Sequence, residues 1–64
     1  MIAYDYVLRA NALTRGRPGD MERIVEAKEL YEKALADDPH YARALEGLAY
    51  TYFLMWALEQ SPDY

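Results

Sequence analysis

The 64-residue sequence contains no cysteine and a single histidine, His40. Disulfides and thiolate metal centres are thereby excluded, and a histidine-based metal cluster with them. Basic residues are also few. Seven Lys and Arg stand against eleven Asp and Glu, giving a net charge of −4. Nucleic-acid binding needs a basic footprint that displaces counterions from phosphates. Here the only close basic pair, Arg15 and Arg17, is followed at once by Asp20 and Glu22. Long hydrophobic runs are missing too. The longest uncharged apolar stretch, Gly47–Leu58, falls well short of the roughly 20 residues of a membrane span. The N-terminus lacks the basic region and apolar stretch of a secretory signal, so the expected location is the cytoplasm.

What is present is apolar and aromatic. Hydrophobic residues make up 53% of the chain and aromatics 14%, with seven tyrosines, a composition that argues against disorder. Tyrosine joins an apolar body to a polar tip and suits surfaces that are partly buried or meet a partner. A chain this short buries only about 60% of its unfolded surface, so its own core leaves it marginally stable.

The pattern predicts three helices and an all-α fold in one domain, residues 1–64. The first runs over about 2–15, with Tyr4, Leu8 and Ala12 at helical spacing and Tyr6, Ala10 and Leu13 on an adjacent strip. Gly16-Arg17-Pro18-Gly19 breaks it, with Gly16 suited to the C′ position, where φ is positive. Asp20 is placed to N-cap a second helix over 21–37. Ile24, Ala27, Tyr31, Ala34 and Leu35 form its apolar stripe, and Glu and Lys residues fill the other side. Asp5–Arg9 and Glu29–Lys33 are favourably ordered i,i+4 charge pairs. Asp37-Asp38-Pro39 ends this helix. A third is expected over about 40–59, with Asp38 as N-cap and Pro39 at its first position. Ser61-Pro62 stops it, leaving frayed terminal residues. Leu45, Leu48, Ala49, Tyr52 and Trp56 mark one face of this helix, yet Tyr50, Phe53, Leu54, Met55 and Leu58 cover most of the rest. A helix apolar all round belongs in a core, and two other helices are too few to bury it.

Ala27-x3-Tyr31-x2-Ala34-x4-Pro39, followed by Leu45-x2-Leu48-Ala49-x2-Tyr52, resembles the tetratricopeptide repeat: the second half of one repeat running into the first half of the next. Leu45 stands where the family often has Trp, and Ala49 where it has Gly. The first helix is similar to a degenerate first half, with Leu8 at the Leu position, Arg9 at the small position, Ala12 at the Tyr position and about six inserted residues near Arg17–Glu22. A finer likeness is to repeat arrays of large bacterial regulators, including those that follow adenylate cyclase or winged-helix domains. The resemblance covers about one and a half repeats and implies a non-catalytic protein-interaction module. It implies a concave groove lined by Tyr6, Ala10, Leu13, Arg43, Glu46, Tyr50 and Phe53, suited to an extended or helical peptide.

The apolar third helix is expected to seek a partner through Leu48, Tyr50, Phe53, Met55 and Trp56. Terminal repeats need a polar cap, and this sequence offers none. A homodimer, of C2 symmetry with third helices in contact, is the simplest remedy. A purely structural helical protein with no external ligand is the alternative. A membrane-surface helix would carry a charged face rich in Lys and Arg, which Gly47–Leu58 lacks. Asp37, Asp38 and His40 resemble helix caps more than metal ligands. Glu22, Glu26 and Glu29 fall on a polar face rather than in the desolvated site that acid–base catalysis needs. With no Ser/His/Asp, Cys/His or phosphate-binding Gly-rich motif, neither an enzyme nor a cofactor is expected.

Overall fold

A computed structural model describes residues 2–16 and 20–60. Helix α1 spans Ala3–Gly16, α2 spans Met21–Asp37 and α3 spans Ala42–Gln60. No strand occurs among the described residues. The architecture is therefore all-α, as the periodicity indicates. Gly16 is the last residue of α1 rather than the position beyond it. Residues 17–19 and 61–64, on which the remainder of the Gly/Pro break and the Ser61-Pro62 stop fall, lie outside the described residues.

The helix ends explain much of the topology. Asp20 has extended φ/ψ of −94° and 106°, and its Oδ1 accepts from Glu22 N at 3.0 Å. That bond satisfies one of the orphan amides at the start of α2. The first amide of α1 is satisfied from elsewhere in the fold: Ala3 N donates to Asp37 Oδ2, at the far end of α2, at 3.2 Å. At the other end of the hairpin, Arg23 Nε donates to the Leu13 carbonyl at 3.4 Å. Both contacts require α1 and α2 to run antiparallel, and each ties one helix end to its neighbour.

The passage into α3 differs from the expectation. Asp38 is the C-cap of α2, donating its N–H to Ala34 O at 2.8 Å. Its side chain accepts from His40 N at 3.2 Å, and its carbonyl from Tyr41 N at 3.1 Å. Asp38 thus closes a turn through Pro39 and His40, and α3 begins at Ala42 instead of Pro39. An Asx-type turn competes with helical capping for the same carboxylate, and here the turn takes it.

Packing follows small residues. Ala3, Val7 and Ala10 of α1, Ala27, Leu30, Tyr31 and Ala34 of α2 and Ala44 of α3 form the buried core, flanked by Tyr6, Leu13, Leu35, Tyr41 and Leu48. The Tyr4–Leu8–Ala12 strip, read from the sequence as an apolar face of α1, is exposed. Ala3, Val7 and Ala10 take the core positions instead, flanked by Tyr6. The reason is physical: at a close helix crossing, alanine and valine fit where Tyr4 and Leu8 do not. On α3 only Ala44 and Thr51 are buried. Thr51 Oγ1 is satisfied by the Leu48 carbonyl at 2.7 Å, within its own helix. The expected pairs Asp5–Arg9 and Glu29–Lys33 give way to Lys28–Glu32 at 3.2 Å, the ion pair among the described residues.

Candidate functional site

The site is built around Tyr31. Its side chain is 1% exposed and fills the space among the three helices. A Cβ placed on Gly47 would overlap Cε1 and Cζ of its ring and lie 2.7 Å from its hydroxyl. Gly47 is therefore the point where α3 comes down on α2, and the absence of a side chain there makes room for the phenol. The Tyr31 hydroxyl donates to Asn11 Oδ1 on α1. One side chain of α2 thus links α1 to α3.

Above this floor lies an open cleft of about 210 Å³. Asn11 and Thr14 of α1 form one wall, and Arg43, Glu46 and Tyr50 of α3 form the other, with Gly47 and Tyr31 beneath. Asn11 uses its carbonyl oxygen on Tyr31, which leaves its amide N–H groups to donate. Thr14 Oγ1 donates to the Asn11 backbone carbonyl at 3.1 Å and keeps its lone pairs. The cleft can therefore engage both donors and acceptors, with a guanidinium and a carboxylate on its rim. Burial pushes the Tyr31 phenol above its ordinary value, and the opposing pull of the Thr14 hydroxyl and the Arg15 charge is the lesser effect. The folded state accordingly holds this proton more tightly than the unfolded chain does. Its contribution to stability is complete below the ordinary tyrosine value near 10 and is lost as pH rises above it. Urea melts across that range should show an alkaline loss of stability that Tyr31→Phe makes shallower.

Of the residues expected in the groove, Arg43, Glu46 and Tyr50 lie together on one wall of this cleft. Tyr6 and Leu13 do not join them. Both pack against the core, and Leu13 lines a separate cleft between α1 and α2. Phe53 and Trp56, each 57% exposed, form a pair with ring centroids 6.3 Å apart, away from the groove floor. Met55, like Leu48, is half-buried, so neither belongs to the open edge assigned to it. Leu45 and Tyr52 belong there instead, both about half exposed. Asn11, Thr14, Tyr31 and Gly47 are site residues that sequence reasoning missed. Gly47 carried a signal, because a glycine deep in a helix costs about 1 kcal/mol relative to alanine and usually has a packing reason. The carboxylates of Asp37 and Asp38 both accept backbone N–H groups, Asp37 at the start of α1 and Asp38 within the turn before α3.

Antiparallel helices stacked so that α1 and α3 share one face over an α2 floor define a helical-repeat protein. The profile described as Tetratricopeptide repeat matches residues 20–61, covering α2, the Asp38–Tyr41 turn and α3. The chain belongs to the tetratricopeptide repeat family. Comparison with curated proteins and with solved structures returns no match. No helix among the described residues is long and apolar enough to cross a membrane.

Proposed function

We propose that this chain is a non-catalytic protein-interaction module, one unit over residues 1–64, that self-associates through α3 in a cytoplasmic setting. The carrying observation is the stripe Leu45, Ala49, Tyr52, Phe53 and Trp56, which recurs at helical spacing and stays exposed along α3. Fully burying one large apolar side chain is worth about 1.5–3 kcal/mol. Four such side chains left half in water forgo an amount comparable with the whole stability of a small domain. A partner that covers them recovers it. A standard interface needs about 800 Å² from each side, less than a fifth of this chain's 4552 Å².

Size-exclusion chromatography with light scattering tests the reading. A mass above the monomer is expected at micromolar concentration, and Phe53→Ser with Trp56→Ser should return it to monomer without loss of helicity. A wild-type chain that stays monomeric with a cooperative melt would sink the self-association claim. The Tyr31-floored cleft supports a second reading, in which Arg43, Glu46 and Tyr50 hold an extended peptide across the α1–α3 face. Chemical-shift changes at Arg43 and Tyr50 on adding a peptide ligand would favour it. Silence there leaves self-association as the function.

A further inference from the structure

The face of α3 has a counterpart elsewhere on the same chain. Arg9, Ala12 and Leu13 of α1 and Arg23, Glu26 and Leu30 of α2 line a cleft of about 280 Å³ that no α3 residue enters. Its floor is apolar, with Leu30 buried and Leu13 half-buried. Its rim carries two guanidinium groups and one carboxylate, so it is locally cationic in a chain of net charge −4. Arg23 is held in place by its bond to the Leu13 carbonyl. Neither Arg9 nor Arg23 is in an ion pair among the described residues. The volume lies just below the range of small-molecule pockets, about 300–1,000 Å³. It suits a side chain better than a cofactor.

We infer that this cleft receives the Phe53–Trp56 ridge of a second copy of the chain, joining molecules head to tail. The inference rests on the self-association proposed above and specifies its geometry. The two surfaces complement each other in shape, since a protruding aromatic pair meets an apolar-floored recess. They also complement each other in charge. Arginines above an aromatic face gain a cation–π attraction, and Glu59, one turn beyond Trp56 on α3, offers a carboxylate to the same arginines. Beyond Arg43, α3 has no basic residue to repel them. Apposed third helices in a C2 dimer would leave this cleft empty, with Glu26 the one carboxylate on its rim against two arginines. The complementary surfaces lie on different faces of one molecule, so the contact is heterologous. Assembly then continues past the dimer as concentration rises.

Mixing complementary variants tests the geometry. Ala12→Glu fills the cleft and sets a carboxylate beside Arg9 and Arg23. Trp56→Ser removes the ridge. Both positions are exposed, so circular dichroism and melting should show each variant folded. By light scattering, the wild type should grow beyond twice the monomer mass with concentration, and each variant alone should be monomeric. An equimolar mixture should form a 1:1 dimer that grows no further, because each molecule keeps one intact surface. The mixed dimer should weaken at high salt. The inference is overturned, with self-association intact, if Ala12→Glu assembles like the wild type, if wild-type growth stops at the dimer, or if the mixture stays monomeric. A wild type that is monomeric throughout removes the underlying self-association as well.

Discussion

Gly47→Ala is expected to destabilise the fold by about 2 kcal/mol, although helix propensity alone favours the change. Alanine within a helix gains about 1 kcal/mol over glycine. Against that, the new Cβ would overlap the Tyr31 ring. The ring is 1% exposed and tied to Asn11, so giving way to the new methyl means breaking that bond and shifting a packed side chain. Overpacking at such a site costs about 3 kcal/mol, the upper part of its usual range, and it wins. Urea denaturation should show a lower midpoint with an unchanged slope. A smaller residue at position 31 should recover part of the loss, so Tyr31→Leu and Gly47→Ala should couple by about 1 kcal/mol in a double-mutant cycle. A stabilised Gly47→Ala chain would show that α3 does not approach α2 this closely.

Tyr31→Ala is expected to have the largest effect of any single substitution. Truncating a buried aromatic costs about 3–5 kcal/mol. A single core in a chain of this size rarely supplies more than about 3–5 kcal/mol in total. The variant should therefore be largely unfolded at 25 °C, with helical ellipticity mostly lost. Tyr31→Phe keeps the ring and removes only the bond to Asn11, at a cost of about 1 kcal/mol. It should remain folded. A Tyr31→Ala chain that kept its cooperative melt would mean that the alanine stripe of the core holds the helices without the ring.

These expectations bear on how much the sequence reveals. The three helices, the small–large–small code of Ala27, Tyr31 and Ala34 and the Asp20 cap are all legible in it, because each depends on local chemistry or on spacing within one helix. The groove wall of Arg43, Glu46 and Tyr50 is legible from the repeat phase. Asn11 and Thr14, opposite it, are not, because nothing within α1 says which of its polar residues faces α3. The start of α3 is hidden for a related reason: Asp38 has one carboxylate, and a turn and a cap both compete for it.

The face of α1 is the clearest case of what the chain order conceals. Tyr4, Leu8 and Ala12 are as periodic as Ala3, Val7 and Ala10, and larger. Hydrophobicity alone picks the wrong set, since only the distance between helices decides that small residues belong inside. The division at α3 is similar. From the sequence, α3 carries an excess of apolar surface over what one helix face holds, because the residues from Gly47 to Leu58 are uncharged all round. The tertiary structure alone decides which side chains carry that excess. With Gly47 seated on Tyr31, the rotation of α3 is fixed. Leu48 and Met55 turn inward, and Tyr52, Phe53 and Trp56 turn out. A helix's periodicity defines its faces, but steric contact with its neighbours sets which face is buried.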